Sequence, residues 1–214
     1  MITRVGVCDY GVGNLRSVER ALAVAGAEAV ISGDPDVITA CDGVVLPGVG
    51  AFSVAAQALQ DTGLGDAVRD LARRQRPVLG VCLGHQLLFE SSDEGHGGEG
   101  LALLPGRVVK LSTKGGLKVP HMGWNTITLL RASALLDGIE SGTSMYFVHS
   151  YAAVPDPRDT VAVTEYGDTL AAAVAHGSVM GTQFHPEKSG ASGLRVYANL
   201  VSLCAAPVVA RRAG

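Results

Sequence analysis

Charge is sparse in this chain: Asp, Glu, Lys and Arg make up 17% of its 214 residues, against about 25% in ordinary globular domains. With 47% hydrophobic residues beside it, that balance excludes a disordered chain. Basic residues do not cluster. The formal net charge is −3, and no Lys/Arg run supplies the electrostatic footprint that nucleic acid requires. Arg211-Arg212 reads as a solvated tail. Long hydrophobic runs are also missing. The longest charge-free stretches, 43–60 and 169–186, reach 18 residues each, and Gly, Pro, Ser, Thr or Gln break both, so neither reads as a membrane span. Aromatic residues are only 5%, with a single Trp. The four cysteines, Cys8, Cys41, Cys82 and Cys204, are widely scattered. No export signal opens the chain, so they are expected to be reduced thiols of a cytoplasmic protein, not a disulfide framework. No C-x-x-C or H-x-x-x-H spacing suggests a metal. No internal repeat or low-complexity linker appears, and residues 1–214 read as one domain.

Glycine is what the sequence has in excess, 28 of 214 residues where about 7% is usual. It follows no G-X-Y period, so it belongs to loops where the backbone turns sharply or approaches something closely. In the first half, 5–8, 29–31, 43–46 and 77–81 read as short buried strands. Leu15, Val18, Leu22 and Ala25 recur at helical spacing before a Gly26 C-cap. Asp34-Pro35 starts a short helix with proline at its first position. Residues 52–75 read as helical, in one or two pieces parted near Gly63-Leu64-Gly65, and 83–90 as a helix behind the fourth strand. Such alternation predicts an α/β fold with a doubly wound, mostly parallel sheet flanked by helices. The second half changes character. A Gly/Glu/Ser loop over 91–100 is followed by β-like pieces at 107–111, 126–130, 145–149, 160–165, 170–175 and 179–184. Turn signals such as Pro155-Asp156-Pro157 and Gly167-Asp168 part them. These pieces predict a small antiparallel extension. A last helix over roughly 190–204 draws its apolar side from Leu194, Tyr197, Ala198, Val201 and Leu203.

Gly80-Val81-Cys82-Leu83-Gly84 is the cysteine form of the Gly-x-Ser-x-Gly nucleophile elbow, set between a strand and a helix. Glycines two residues either side let neighbouring segments close on a strained turn, and a helix N-terminus stabilises a thiolate. A free cysteine is otherwise a small buried hydrophobe, which is the reading for Cys8, Cys41 and Cys204. A thiolate needs a base, and six histidines compete. His185 differs because Glu187 lies two residues on, where side chains at a strand end can share one side. A carboxylate there could fix the imidazole tautomer, and the intervening Pro186 would stiffen the geometry. Spacing alone leaves His185 open between that role and a hydrogen-bonded structural one. His85 is expected to pack near the elbow, and His176, before a Gly-Ser turn, to be exposed. Pro47-Gly48-Val49-Gly50 could aim an N–H of Val49 or Gly50 at an oxyanion, with the N–H of Leu83 as second donor; alone it reads as a strand-exit turn. After the first strand, Arg16 stands where a dinucleotide fingerprint needs its third glycine, and no acidic residue closes the second strand. NAD binding is therefore rejected, and no cofactor is expected.

Gly80-Val-Cys-Leu-Gly-His-Gln86 together with His185-Pro-Glu187 resembles the class I (triad) glutamine amidotransferases. Asp9-Tyr-Gly-Val-Gly-Asn14, Pro47-Gly-Val-Gly-Ala-Phe52, Pro120-His-Met-Gly-Trp-Asn125, Tyr146-Phe-Val-His-Ser-Tyr151 and Gln183-Phe-His-Pro-Glu-Lys-Ser189 extend the resemblance from about residue 4 to about 204. The resemblance implies a glutaminase in which Cys82 attacks L-glutamine, His185 is the base and Glu187 orients it. It places Gln86, Glu99, Ser150 and Tyr151 at the glutamine site and Val49, Gly50 and Leu83 in the oxyanion hole. It also implies a heterodimer with a cyclase subunit of (β/α)8-barrel fold, which receives the ammonia. Asn14, Trp124, Tyr146 and Lys188 would face that partner, and the 47–50 loop would be set by it. Read without the resemblance, Trp124 is a packing residue. Two alternatives stand beside this reading. One is the glutaminase of another pathway, which the 47–50 loop opposes. The other is a non-catalytic binding subunit on the same fold, which the full triad opposes.

Overall fold

A computed structural model describes residues 2–112 and 116–207; Arg211-Arg212 lies outside the described residues. The first half builds β1 (Arg4–Cys8), α1 (Leu15–Val24), β2 (Glu28–Ser32), α2 (Pro35–Thr39), β3 (Gly43–Leu46), α3 (Phe52–Thr62), α4 (Leu64–Arg73), β4 (Val78–Val81) and the short α5 (Leu83–Gln86). The second half adds β5 (Ser91–Ser92), β6 (Gly98–Glu99), β7 (Gly106–Lys110), β8 (His121–Thr126), β9 (Thr128–Leu129), β10 (Ser144–His149), β11 (Tyr151–Pro155), β12 (Thr160–Tyr166), β13 (Asp168–His176), β14 (Val179–Thr182) and α6 (Gly190–Ala205). The main sheet has eight strands in the order β2-β1-β3-β4-β14-β13-β12-β9. The first five run parallel and the last three continue it antiparallel. β8 pairs with β10, and β11-β7-β5-β6 forms a small mixed sheet.

Every residue of β3, β4 and β14 is buried, which is why these segments read as unbroken apolar runs. Their side chains alternate between two cores. Val45, Leu79 and Met180 meet α1 and α6 through Val18, Leu22, Val196 and Leu200. Val44, Val78 and Val179 meet α2, α3 and α4 through Ile38, Leu59, Leu64 and Leu71. The parallel strands therefore end along one edge of a sheet covered on both faces, the usual place for a ligand in such sheets.

Several expectations differ from the observed elements. The helix after β4 ends at Gln86, not near residue 90. The Leu88 and Phe89 N–H groups turn to carbonyls three residues back, and that of Glu90 donates to the Gly106 carbonyl, so the helical ladder is not continued; the carbonyls of residues 87–90 accept from N–H groups of residues 100–104. β8 starts at His121, well before the expected strand at 126: Gly123 and Asn125 blunt its β pattern in the sequence, and pairing with β10 forms it regardless. β11 was hidden by its closing Pro155, and the expected 91–100 loop contains the two-residue strands β5 and β6. On α6 the buried stripe is Gly193, Val196, Tyr197, Leu200 and Cys204, while Leu194 is exposed. Gly193 sets that rotation: a Cβ there would lie 1.8 Å from the Pro186 carbonyl oxygen. Among the described residues no helix is long and apolar enough to cross a membrane.

Candidate active site

Cys82 sits between the end of β4 and the start of α5 with φ 54° and ψ −107°. Gln75 and Ala102 are the other non-glycine residues described with positive φ, and such backbone persists only where its surroundings over-determine it. The surroundings do so on both sides. The Cys82 N–H donates to the Thr182 carbonyl at 2.8 Å, continuing the β4–β14 ladder, and its carbonyl accepts from the Gln86 N–H at 3.1 Å, opening the helix. The glycines of the motif are spaces that other backbone fills. A Cβ on Gly80 would stand 2.6 Å from the Gly84 carbonyl oxygen, and one on Gly84 would stand 1.7 Å from that of Leu46.

His185 follows β14, the strand beside β4. Its N–H donates to the Tyr146 carbonyl at 2.9 Å, and its Nδ1 meets Glu187 Oε1 at 2.7 Å with both side chains 2% exposed. A carboxylate oxygen there makes Nδ1 the protonated nitrogen. The remaining Nε2 has no hydrogen bond of ordinary geometry within the described residues, and the Cys82 thiol is the other group that acts on the ring. Burial pushes the imidazole pKa down, but the hydrogen bonds and charges of Cys82 and Glu187 outweigh it and lift it to about 9. The remaining thiols differ: burial, then the Cys41 charge, raises Cys8 to about 12, and burial raises Cys41. Both are inert core residues, and Cys204 is likewise buried and outside any disulfide.

Gln86 points its amide nitrogen at the Tyr151 carbonyl (2.8 Å) and at Gln183 Oε1 (3.1 Å). Both amide hydrogens are thereby placed, and its carbonyl oxygen is left to meet a ligand. Tyr151 is half-buried, and the Ser150 carbonyl accepts from the Leu111 N–H. Leu83 provides the first N–H of α5, without an intrahelical acceptor. The 47–50 loop lies on the elbow: a Cβ on Gly48 would come within 2.9 Å of Gly84 N and Leu83 Cβ, and the Tyr10 hydroxyl donates to the Pro47 carbonyl. Gly50 has φ +102° with open space around its Cα, and Val49 is exposed. Glu99 is exposed on β6 and has no hydrogen bond to this group of residues.

The four residues expected at a partner surface divide. Trp124 is 59% exposed, meets the Tyr146 ring edge-on at 6.0 Å between centroids, and Lys188 Nζ lies 5.8 Å over the same ring. Asn14 takes no part in those ring contacts and opens α1 beyond the end of β1. His176 is exposed as expected and its Nδ1 meets Asp159, while His85 is wholly buried.

Gln183 is the residue that sequence reasoning passed over. It is fully buried, and its amide nitrogen donates toward Cys82 Sγ at 3.8 Å while its oxygen holds Gln86. Its signal was a polar side chain closing the apolar 179–184 run. Glu94 was also missed; its carboxylate accepts from the Phe52 N–H at 2.7 Å and holds the end of the 47–52 loop. Among the described residues no group of three or more His, Cys, Asp or Glu is arranged to hold a metal ion.

The family model described as glutamine amidotransferase class-I matches residues 6–201. Imidazole glycerol phosphate synthase subunit HisH of Moorella thermoacetica is 50% identical over 200 residues, covering 93% of this chain and 94% of that protein. The subunit of the same name from Halobacterium salinarum is 50% identical over 208 residues, covering 93% of each. Among solved structures, one titled glutamine amidotransferase superposes with a TM-score of 0.74 at 20% identity, covering 94% of this chain and 99% of that one. PurLQS from Thermotoga maritima does so at 0.72 and 20%, with the same coverage. At such identity these two speak for the fold alone.

Proposed function

The chain belongs to the class I glutamine amidotransferase family, and from that membership we propose that it is the glutaminase subunit of imidazole glycerol phosphate synthase, acting in histidine biosynthesis as a single domain. Cys82 Sγ attacks the side-chain carboxamide carbon of L-glutamine while His185 Nε2 takes the thiol proton. N–H groups of Leu83 and of Val49 or Gly50 hold the developing oxyanion. His185 returns its proton to the nitrogen, ammonia leaves, and a γ-glutamyl thioester remains on Cys82. Water activated by the same imidazole releases glutamate. Glu187 fixes the tautomer and stabilises the imidazolium throughout. Gln86, Ser150 and Tyr151 bind glutamine. Glu99 belongs to that set by resemblance only. The observation that carries this reading is a buried cysteine on a positive-φ elbow beside an imidazole whose other nitrogen is held by a buried carboxylate.

The ammonia passes to a cyclase subunit of (β/α)8-barrel fold, which makes imidazole glycerol phosphate and an aminoimidazole carboxamide ribotide. Trp124, Tyr146, Lys188 and Asn14 meet that subunit in the heterodimer. Support comes from the surface cluster of Trp124, Tyr146 and Lys188, and from the Tyr146 carbonyl that anchors His185. Glutamate release with and without the cyclase and its nucleotide ligand tests the reading. Release is expected to rise when both are present and to disappear in Cys82→Ala. Stimulated release by Cys82→Ala would sink the mechanism, and full activity of the chain alone would sink the partner dependence.

A further inference from the structure

We propose that His149 and His121 are positioning residues: a hydrogen-bond chain of one fixed sense through their rings holds the Tyr151 carbonyl, and with it Gln86, in place at the glutamine site. This rests on the glutaminase reading above.

The sense of the chain follows from its ends. A carbonyl only accepts, so His149 donates from Nδ1 to the Tyr151 oxygen at 2.8 Å. A neutral His149 then accepts at Nε2, where His121 Nδ1 lies at 2.9 Å and must donate. His121 Nε2 accepts in turn from the Asn125 amide at 3.2 Å, and that amide also donates to the Glu165 carbonyl at 2.9 Å. Protonating His149 would set two N–H groups against each other across 2.9 Å, and protonating His121 would set its Nε2–H against the Asn125 amide at 3.2 Å. Burial opposes it too, holding His149 down to about 4 and His121 below the usual imidazole value. The His121 ring is stacked between Tyr166 and Phe147, at 4.0 and 4.9 Å between centroids, so it has no room to swing out. At the other end the Tyr151 carbonyl receives both His149 and Gln86, and Gln86 holds Gln183, whose amide approaches Cys82 Sγ. Without His149 the carbonyl loses one of its two donors, and nothing else on β10 or β11 replaces it in fixing the Gln86 amide.

Two measurements test this. On the free full-length chain labelled with 15N-histidine, the ring nitrogen shifts at pH 7 are expected to show His121 and His149 as neutral Nδ1–H tautomers. An Nε2–H tautomer or an imidazolium at either position overturns the fixed sense, whatever the chain's activity. With the cyclase and its nucleotide ligand present, His149→Phe is expected to raise KM for glutamine at least about tenfold with kcat within about threefold. His149→Asn, whose amide keeps a donor near the Nδ1 position, is expected to recover most of that loss. A merely structural role would lower kcat by removing active molecules and leave KM alone. An unchanged KM, or equal KM in the two variants, overturns the positioning role. Wild-type chain without ligand-stimulated glutamate release would instead refute the glutaminase reading, and the tautomers would still decide the chain.

Discussion

His185 carries the central electrostatic conflict of the site. Burial alone would keep its imidazole neutral, yet Cys82 and Glu187 lift its pKa to about 9, so the ring holds a proton readily when the thiol gives one up. Glu187→Gln removes the charge and leaves burial in place. His185 is then expected to titrate well below 9, followed by NMR, with kcat falling about 100- to 10,000-fold, as when a triad loses its orienting carboxylate. An unmoved titration would show that the Glu187 charge does not help to hold the His185 proton. Gln183 presents a smaller effect at the sulfur itself. A single neutral hydrogen bond is worth about 1 kcal/mol, so Gln183→Leu is expected to lower kcat/KM about fivefold. Cys82→Ala, which removes the nucleophile, should lower it at least a thousandfold. A Gln183→Leu variant as active as the parent would remove Gln183 from the site.

Elements bring these residues together through close backbone approach, and the glycines differ accordingly. Gly26 has φ +87° with nothing within 4 Å of an added Cβ, whereas Gly84 would drive one into the Leu46 carbonyl at 1.7 Å. Gly26→Ala is therefore expected to cost only the strain of its positive φ, about 1–2 kcal/mol, and Gly84→Ala about 3 kcal/mol or more, by urea unfolding; similar values would mean that β3 yields easily to the elbow. The elbow was legible in the sequence because its requirements are local: an apolar strand, two glycines, a helix start. The parallel strands were legible for a related reason, since burial on both faces leaves continuous apolar runs. What stayed hidden depends on partners distant in the chain. α5 stops early because the Glu90 N–H is taken by the distant Gly106 carbonyl, and β8 exists because β10 pairs with it. Gln183 gains its role only when β14 settles beside β4, and no spacing rule places an exposed Glu99 relative to Cys82.

Over the whole molecule, buried imidazoles of opposite habit bound the pH range in which the fold is strong. Burial, then the His149 charge, lowers His85 to about 3, and burial first of all lowers His149 to about 4. In the unfolded chain both titrate near about 6.5. Their contribution is therefore complete above that value and is lost as pH falls, because the unfolded chain takes up protons that the folded one refuses. His185 has the opposite sign: with its folded pKa near 9, its contribution is complete below about 6.5 and is lost as pH rises through 9. Stability should be greatest close to neutrality. Each refused proton is worth about 1.4 kcal/mol per pH unit, so the acid limb should fall by roughly 2–3 kcal/mol per unit between pH 6 and 4. Against a total of about 5–15 kcal/mol, that is a large share of the stability by about pH 4. Ordinary carboxylates add to the same limb, so the decisive comparison is His85→Leu. Neither ring nitrogen of His85 has a hydrogen-bond partner among the described residues, and leucine removes the titration without breaking a bond. Urea unfolding at stepped pH should show the acid slope of that variant reduced by about one proton. An unchanged slope would mean that His85 does not resist protonation in the folded protein.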